Sequence, residues 1–68
     1  MVVYVVTEYV VGEDGGVVGV HRTLDGAKQH LEHRKLPWRG AWEEDDAATL
    51  HRDTEQLDIY IEAFVVQG

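Results

Sequence analysis

The chain has 68 residues, six Lys/Arg against 13 Asp/Glu for a formal charge of −7, and neither cysteine nor serine. That length makes one domain over residues 1–68, and one so short buries only about 60% of its unfolded surface, so its stability margin is thin. The missing residue types exclude a disulfide framework, a thiolate metal site and a serine or cysteine nucleophile, and the acidity argues against sequence-independent binding to nucleic-acid phosphates. No run approaches the roughly 18 apolar residues of a membrane span, and Met1-Val2-Val3-Tyr4 lacks the basic opening of a secretory signal. The expectation is a cytoplasmic protein without membrane contact.

Residues 2–11, VVYVVTEYVV, are dominated by valine and tyrosine, which suit a pleated surface and resist a helix. Gly12-Glu13-Asp14-Gly15-Gly16 follows, rich in residues that tolerate positive φ, and Val17 to Arg22 resumes the extended pattern. The first third is therefore predicted to be a β-hairpin. Thr23 is a helix N-cap candidate, and Leu24, Ala27 and Leu31 recur at helical spacing. Asp25 in the first turn and Arg34 and Lys35 in the last suit the helix dipole, while Pro37 disfavours helix at Leu36 and places its end near Lys35.

Pro37 to Asp46, PWRGAWEEDD, reads as a connector with two tryptophans and four consecutive carboxylates. Ala47 to Arg52 reads as a short strand, Asp53 to Gln56 as a turn, and Leu57 to Val66 as a long alternating strand. The predicted fold class is α+β: a small antiparallel four-stranded sheet with one helix packed on one face, in the order β-β-α-β-β.

The face left uncovered by that helix is where function is expected. Leu57, Ile59 and Ile61 form an aliphatic side suited to the helix, whereas Tyr60 and Phe64 point the other way with Glu62 between them. In the first strand Val3, Val5, Thr7 and Tyr9 form one set, and Tyr4, Val6, Glu8 and Val10 the other. A solvated sheet face would be mostly polar, so an aromatic patch of Tyr4, Val6, Tyr60 and Phe64 is expected away from the helix, with Trp38 and Trp42 at its rim. The competing expectation is that the 37–46 connector folds back over this face, because monomers rarely leave a large apolar patch bare.

Candidate chemical sites are sparse. His30 and His33 stand at i, i+3 on the helix, not the i, i+4 of the helical zinc motif, and His21 and His51 lie on strands without an evident partner. Glu43-Glu44-Asp45-Asp46 lacks the alternation and central glycine of an EF-hand loop. The 12–16 glycine cluster lacks the following helix of a phosphate cradle. The residues therefore predict no metal, no cofactor and no enzyme activity.

Charge is uneven along the chain: Arg22, Lys28, Arg34, Lys35 and Arg39 cluster before position 40, and eight carboxylates lie between 43 and 62. A basic strip with Trp38 offers one route to single-stranded nucleic acid. The acidic third offers the reverse route, imitating a phosphate backbone to occupy a nucleic-acid-binding protein.

Three stretches, VYVVTEYV at 3–10, GVHRTLDGAKQHLE at 19–32 and the terminal YIEAFVV, together resemble a group of small bacterial and phage proteins with a tyrosine-rich first strand, a hairpin, a helix and a final Tyr-Ile-Glu strand. Gly26 departs from that pattern, where the group usually carries a glutamate. The resemblance implies a ββαββ fold and transfers no activity or site. The leading functional expectation is a small non-enzymatic interaction or regulatory module, phage-borne or accessory, that engages a protein partner or a second copy of itself.

Overall fold

A computed structural model describes residues 1–67. Its elements are β1 (Val2–Val10), β2 (Gly16–His21), α1 (Leu24–Glu32), β3 (Glu43–Asp46), β4 (Thr49–Asp53) and β5 (Leu57–Val65). They form one antiparallel sheet in the order β2-β1-β5-β4-β3. The α+β class and the single helix agree with the sequence reading, but the sheet has five strands and not four.

The additional strand is β3, within the stretch read as a connector. Aspartate and glutamate are poor strand formers, so nothing in EEDD announces an extended segment. At the sheet edge, however, a strand needs only one neighbour. All four β3 residues are exposed, which keeps their carboxylates in water while the backbone pairs with β4, Glu43 opposite His51 and Glu44 opposite Leu50. Charge on an edge strand also discourages a further strand from adding there.

The two longest strands, β1 and β5, lie side by side at the centre in unbroken register from Val2 opposite Val65 to Val10 opposite Leu57. The β1–β2 turn needs glycine at position 15, where a Cβ would sit 2.2 Å from the Glu8 carbonyl and 2.4 Å from the Tyr9 ring. Thr54 shapes the β4–β5 turn: it is buried, and its hydroxyl accepts from the amides of Gln56 (3.2 Å) and Leu57 (3.0 Å).

Helix α1 starts as predicted, with the Thr23 hydroxyl accepting from the Gly26 amide at 3.0 Å. It ends at Glu32, earlier than expected. The Arg34 and Lys35 amides bond back three residues to Leu31 and Glu32, and Lys35 turns into the left-handed region at φ 49°. The chain is therefore already out of the helix when it reaches Pro37.

The strand order dictates how the core is closed. The hairpin β1–β2 occupies one edge and β3 the other, so residues 22–42 must carry the chain across the width of the sheet. They stay on one side throughout. Helix α1 buries Ala27 and Leu31 against Val6, Ile59 and Ile61, and Leu36, Trp38 and Trp42 pack on the same cluster. The Arg52 guanidinium lies 4.5 Å from the centre of the Trp38 ring and 3.6 Å from the Glu32 carboxylate, tying the connector and the helix end to β4. One face of the sheet is covered by helix and connector together.

Candidate interaction face

The β1–β5 register sorts side chains without ambiguity, because residues directly opposite each other point to the same face. Val6 faces Ile61 and Tyr4 faces Ala63, so both belong to the covered side with the core. Val3 pairs with Phe64, Val5 with Glu62, Thr7 with Tyr60 and Tyr9 with Asp58, and this is the open side. The expected patch of Tyr4, Val6, Tyr60 and Phe64 is thus split between the two faces. Val6 is fully buried under the helix, and Tyr4 packs beside it. The two alternating sets of β1 were separated correctly, but their assignment to faces was reversed. Each set holds three aliphatics or aromatics beside one polar residue, so pattern alone could not orient the strand.

Trp38 and Trp42 also differ from expectation. They neither rim the open face nor plug it. Their rings stand 5.8 Å apart on the covered side, because the connector must follow the helix across that side.

The open face has two halves. Across β2 and β1 it is aliphatic: Val17 lies opposite Thr7 and Val20 opposite Val5, and these two valines are 63% and 58% exposed. Together with Val3, Val5 and the half-exposed Phe64 they form a continuous apolar strip. Across β5, β4 and β3 the face becomes aromatic and acidic. The Tyr9 and Tyr60 rings meet edge-to-face at 5.7 Å, and the His51 ring lies 5.7 Å from Tyr60. Tyr9, Tyr60 and Glu62 line a shallow depression of about 280 Å³.

Carboxylates surround this aromatic group. His51, which had no evident partner in the sequence, bonds through Nδ1 to Asp45 at 2.6 Å and reaches Glu43 through Nε2 at 3.3 Å. Asp53 approaches Arg39 at 3.9 Å, whereas Asp58 and Glu62 make no ion pair among the described residues. The Tyr60 phenol is held above the ordinary tyrosine range, first by desolvation and then by the negative charges of Asp58, Asp45 and Asp53 nearby. It is therefore a neutral hydroxyl in an acidic setting, available to donate a hydrogen bond.

Three of the six basic residues make ion pairs among the described residues. Arg34 pairs with Glu8, Arg39 with Asp53 and Arg52 with Glu32. A second hollow, about 270 Å³, lies between Tyr4 and Leu24 and the β3–β4 hairpin, with Glu44 and Asp46 in its lining. Among the described residues no helix is long and apolar enough to cross a membrane. No protein-family model matches the chain, nor does any curated protein or solved structure.

Proposed function

We propose that this chain is a small cytoplasmic, non-enzymatic protein-binding module whose open sheet face docks a basic, partly apolar protein surface. The observation that carries this reading is the bare face itself. A strip of valines and Phe64 adjoins Tyr9 and Tyr60, ringed by Glu43, Asp45, Asp53, Asp58 and Glu62, while Arg52 of β4, opposite Ile59, turns to the covered side against Trp38. Tyrosine is enriched at interface centres because it buries a large rigid area at modest entropic cost. Complementary charge at the rim then selects the partner and speeds its encounter. A second copy of the same face fits poorly, since it would bring two sets of these carboxylates together and like charges across an interface are costly.

The probe is a synthetic amphipathic peptide of lysine and leucine, with a glutamate and leucine peptide as control. Binding of the lysine peptide, weakened by salt and lost in the Tyr60→Ala/Phe64→Ala double variant with unchanged far-UV circular dichroism, is the expected result. Equal binding of both peptides, or concentration-dependent self-association that the double variant abolishes, would overturn the reading, the latter in favour of a homodimer.

A nucleic-acid-related role is the second reading, and the same carboxylates favour its mimicry form: an acidic face that occupies a nucleic-acid-binding protein takes the same kind of basic partner. Direct contact through Arg34, Lys35 and Arg39 draws less support, because two of those three cations are already paired. Binding to a single-stranded oligonucleotide that falls steeply with salt would restore direct contact.

A further inference from the structure

On the covered side, away from the docking face, the fold brings together two histidines that the sequence keeps apart. His21 lies opposite Tyr4 in the edge strand β2, and His30 lies in the last turn of α1. Their rings are 5.1 Å apart, and His21 Nε2 and His30 Nδ1 are hydrogen-bonded at 2.9 Å in a partly buried position. Room for both rings comes from Gly19: a Cβ there would stand 3.1 Å from His21 Nε2 and 3.2 Å from the His30 ring. A side chain at position 19 would press on both histidine rings.

We propose that this pair is a two-histidine chelate for a borderline divalent transition metal such as Zn(II), Ni(II) or Cu(II). Imidazole nitrogen suits these ions. Two nitrogens bound at about 2.0–2.1 Å to a tetrahedral ion lie about 3.4 Å from each other. The pair, at 2.9 Å, needs to open by only about half an ångström for the ion to replace the shared proton. The donor ring then carries its proton on the nitrogen facing away, so each imidazole stays neutral and ligates through its free lone pair. The two ligands come from different elements already packed together, so little ordering is needed on binding. No third His, Cys, Asp or Glu completes a set among the described residues, so the remaining coordination positions belong to water. That makes an open, exchangeable site, unlike the closed four-ligand sites that hold structural zinc. The ion would pin the edge strand to the helix.

The test is thermal melting of the whole chain with Zn(II) alone. At 100 times its dissociation constant the ion should raise the melting temperature by about 10 °C or more. His21→Gln and His30→Gln should each abolish that rise, whereas His33→Gln and His51→Gln should retain it. Cu(II) should displace Zn(II), following the usual affinity order. An NMR titration of the wild type removes any dependence on how the variants fold: the His21 and His30 ring signals should move together while those of His33 and His51 stay. No rise in the wild type, or movement of His33 or His51 in place of the pair, would overturn the proposal.

Discussion

The two sides of the central strand β1 are built from nearly the same residue types and have opposite fates. Val5 and Val6 are neighbours in β1, yet Val6 is fully buried under α1 while Val5 lies on the bare side opposite Glu62. Ile61 is buried and Phe64, three residues on, is 48% exposed. Hydrophobicity does not separate these pairs. What separates them is the route of residues 22–42, which must pass from the β2 edge to the β3 edge and can cover only the side they cross. The apolar face that the chain's own path never visits stays bare, and it is this face, with carboxylates around it, that the proposed docking of a basic partner would use.

The comparison breaks most sharply at the core. Ile61→Ala should cost about 2–5 kcal/mol, close to the whole stability of about 3–5 kcal/mol that a core of this size supplies. Phe64→Ala, two strand positions beyond Glu62 on the other face, should cost under about 1 kcal/mol, as for other part-exposed sites. Urea denaturation of both variants checks the contrast, and equal losses would mean that the open face is in fact covered. Trp38→Ala falls between them, at about 1–3 kcal/mol, because it removes both a half-buried ring and its contact with Arg52. A neutral result would show that the helix alone closes the covered side.

The smallest effect concerns Tyr60. Its phenol is raised by desolvation and by three aspartates, so the fold favours the neutral form. The stability linked to this group is fully present below the ordinary tyrosine range, and it is lost as the pH rises through the elevated Tyr60 value. In an alkaline absorbance titration Tyr60 should ionise later than an ordinary tyrosine. Asp58→Asn should bring it partway back, and Tyr60→Phe should remove this part of the alkaline loss of stability. Ionisation in the ordinary range would mean that the carboxylates stand farther from the ring than the sheet register puts them.

The hairpin, the capped helix and the long last strand were legible in the residues because each has a local cause: valine and tyrosine runs around an Asp-Gly-Gly turn, a threonine cap before a 3.6-residue apolar stripe, and strict alternation from Leu57. Strand β3 was not legible, since EEDD becomes extended only when an edge of β4 is there to pair with. The link between His21 and His30 was equally hidden, because nothing local sets the packing of α1 on β2. The sequence by itself determined which residues of β1 and β5 point the same way, a consequence of the two-residue repeat of a strand. The aliphatic side of β5, Leu57, Ile59 and Ile61, was also legible as core, but which set of β1 became core and which became surface was decided only in the tertiary structure. Pairing the first and last strands at the centre forced the crossing segment, with its helix and both tryptophans, onto one side of the sheet and left Tyr9, Tyr60 and Phe64 on the other.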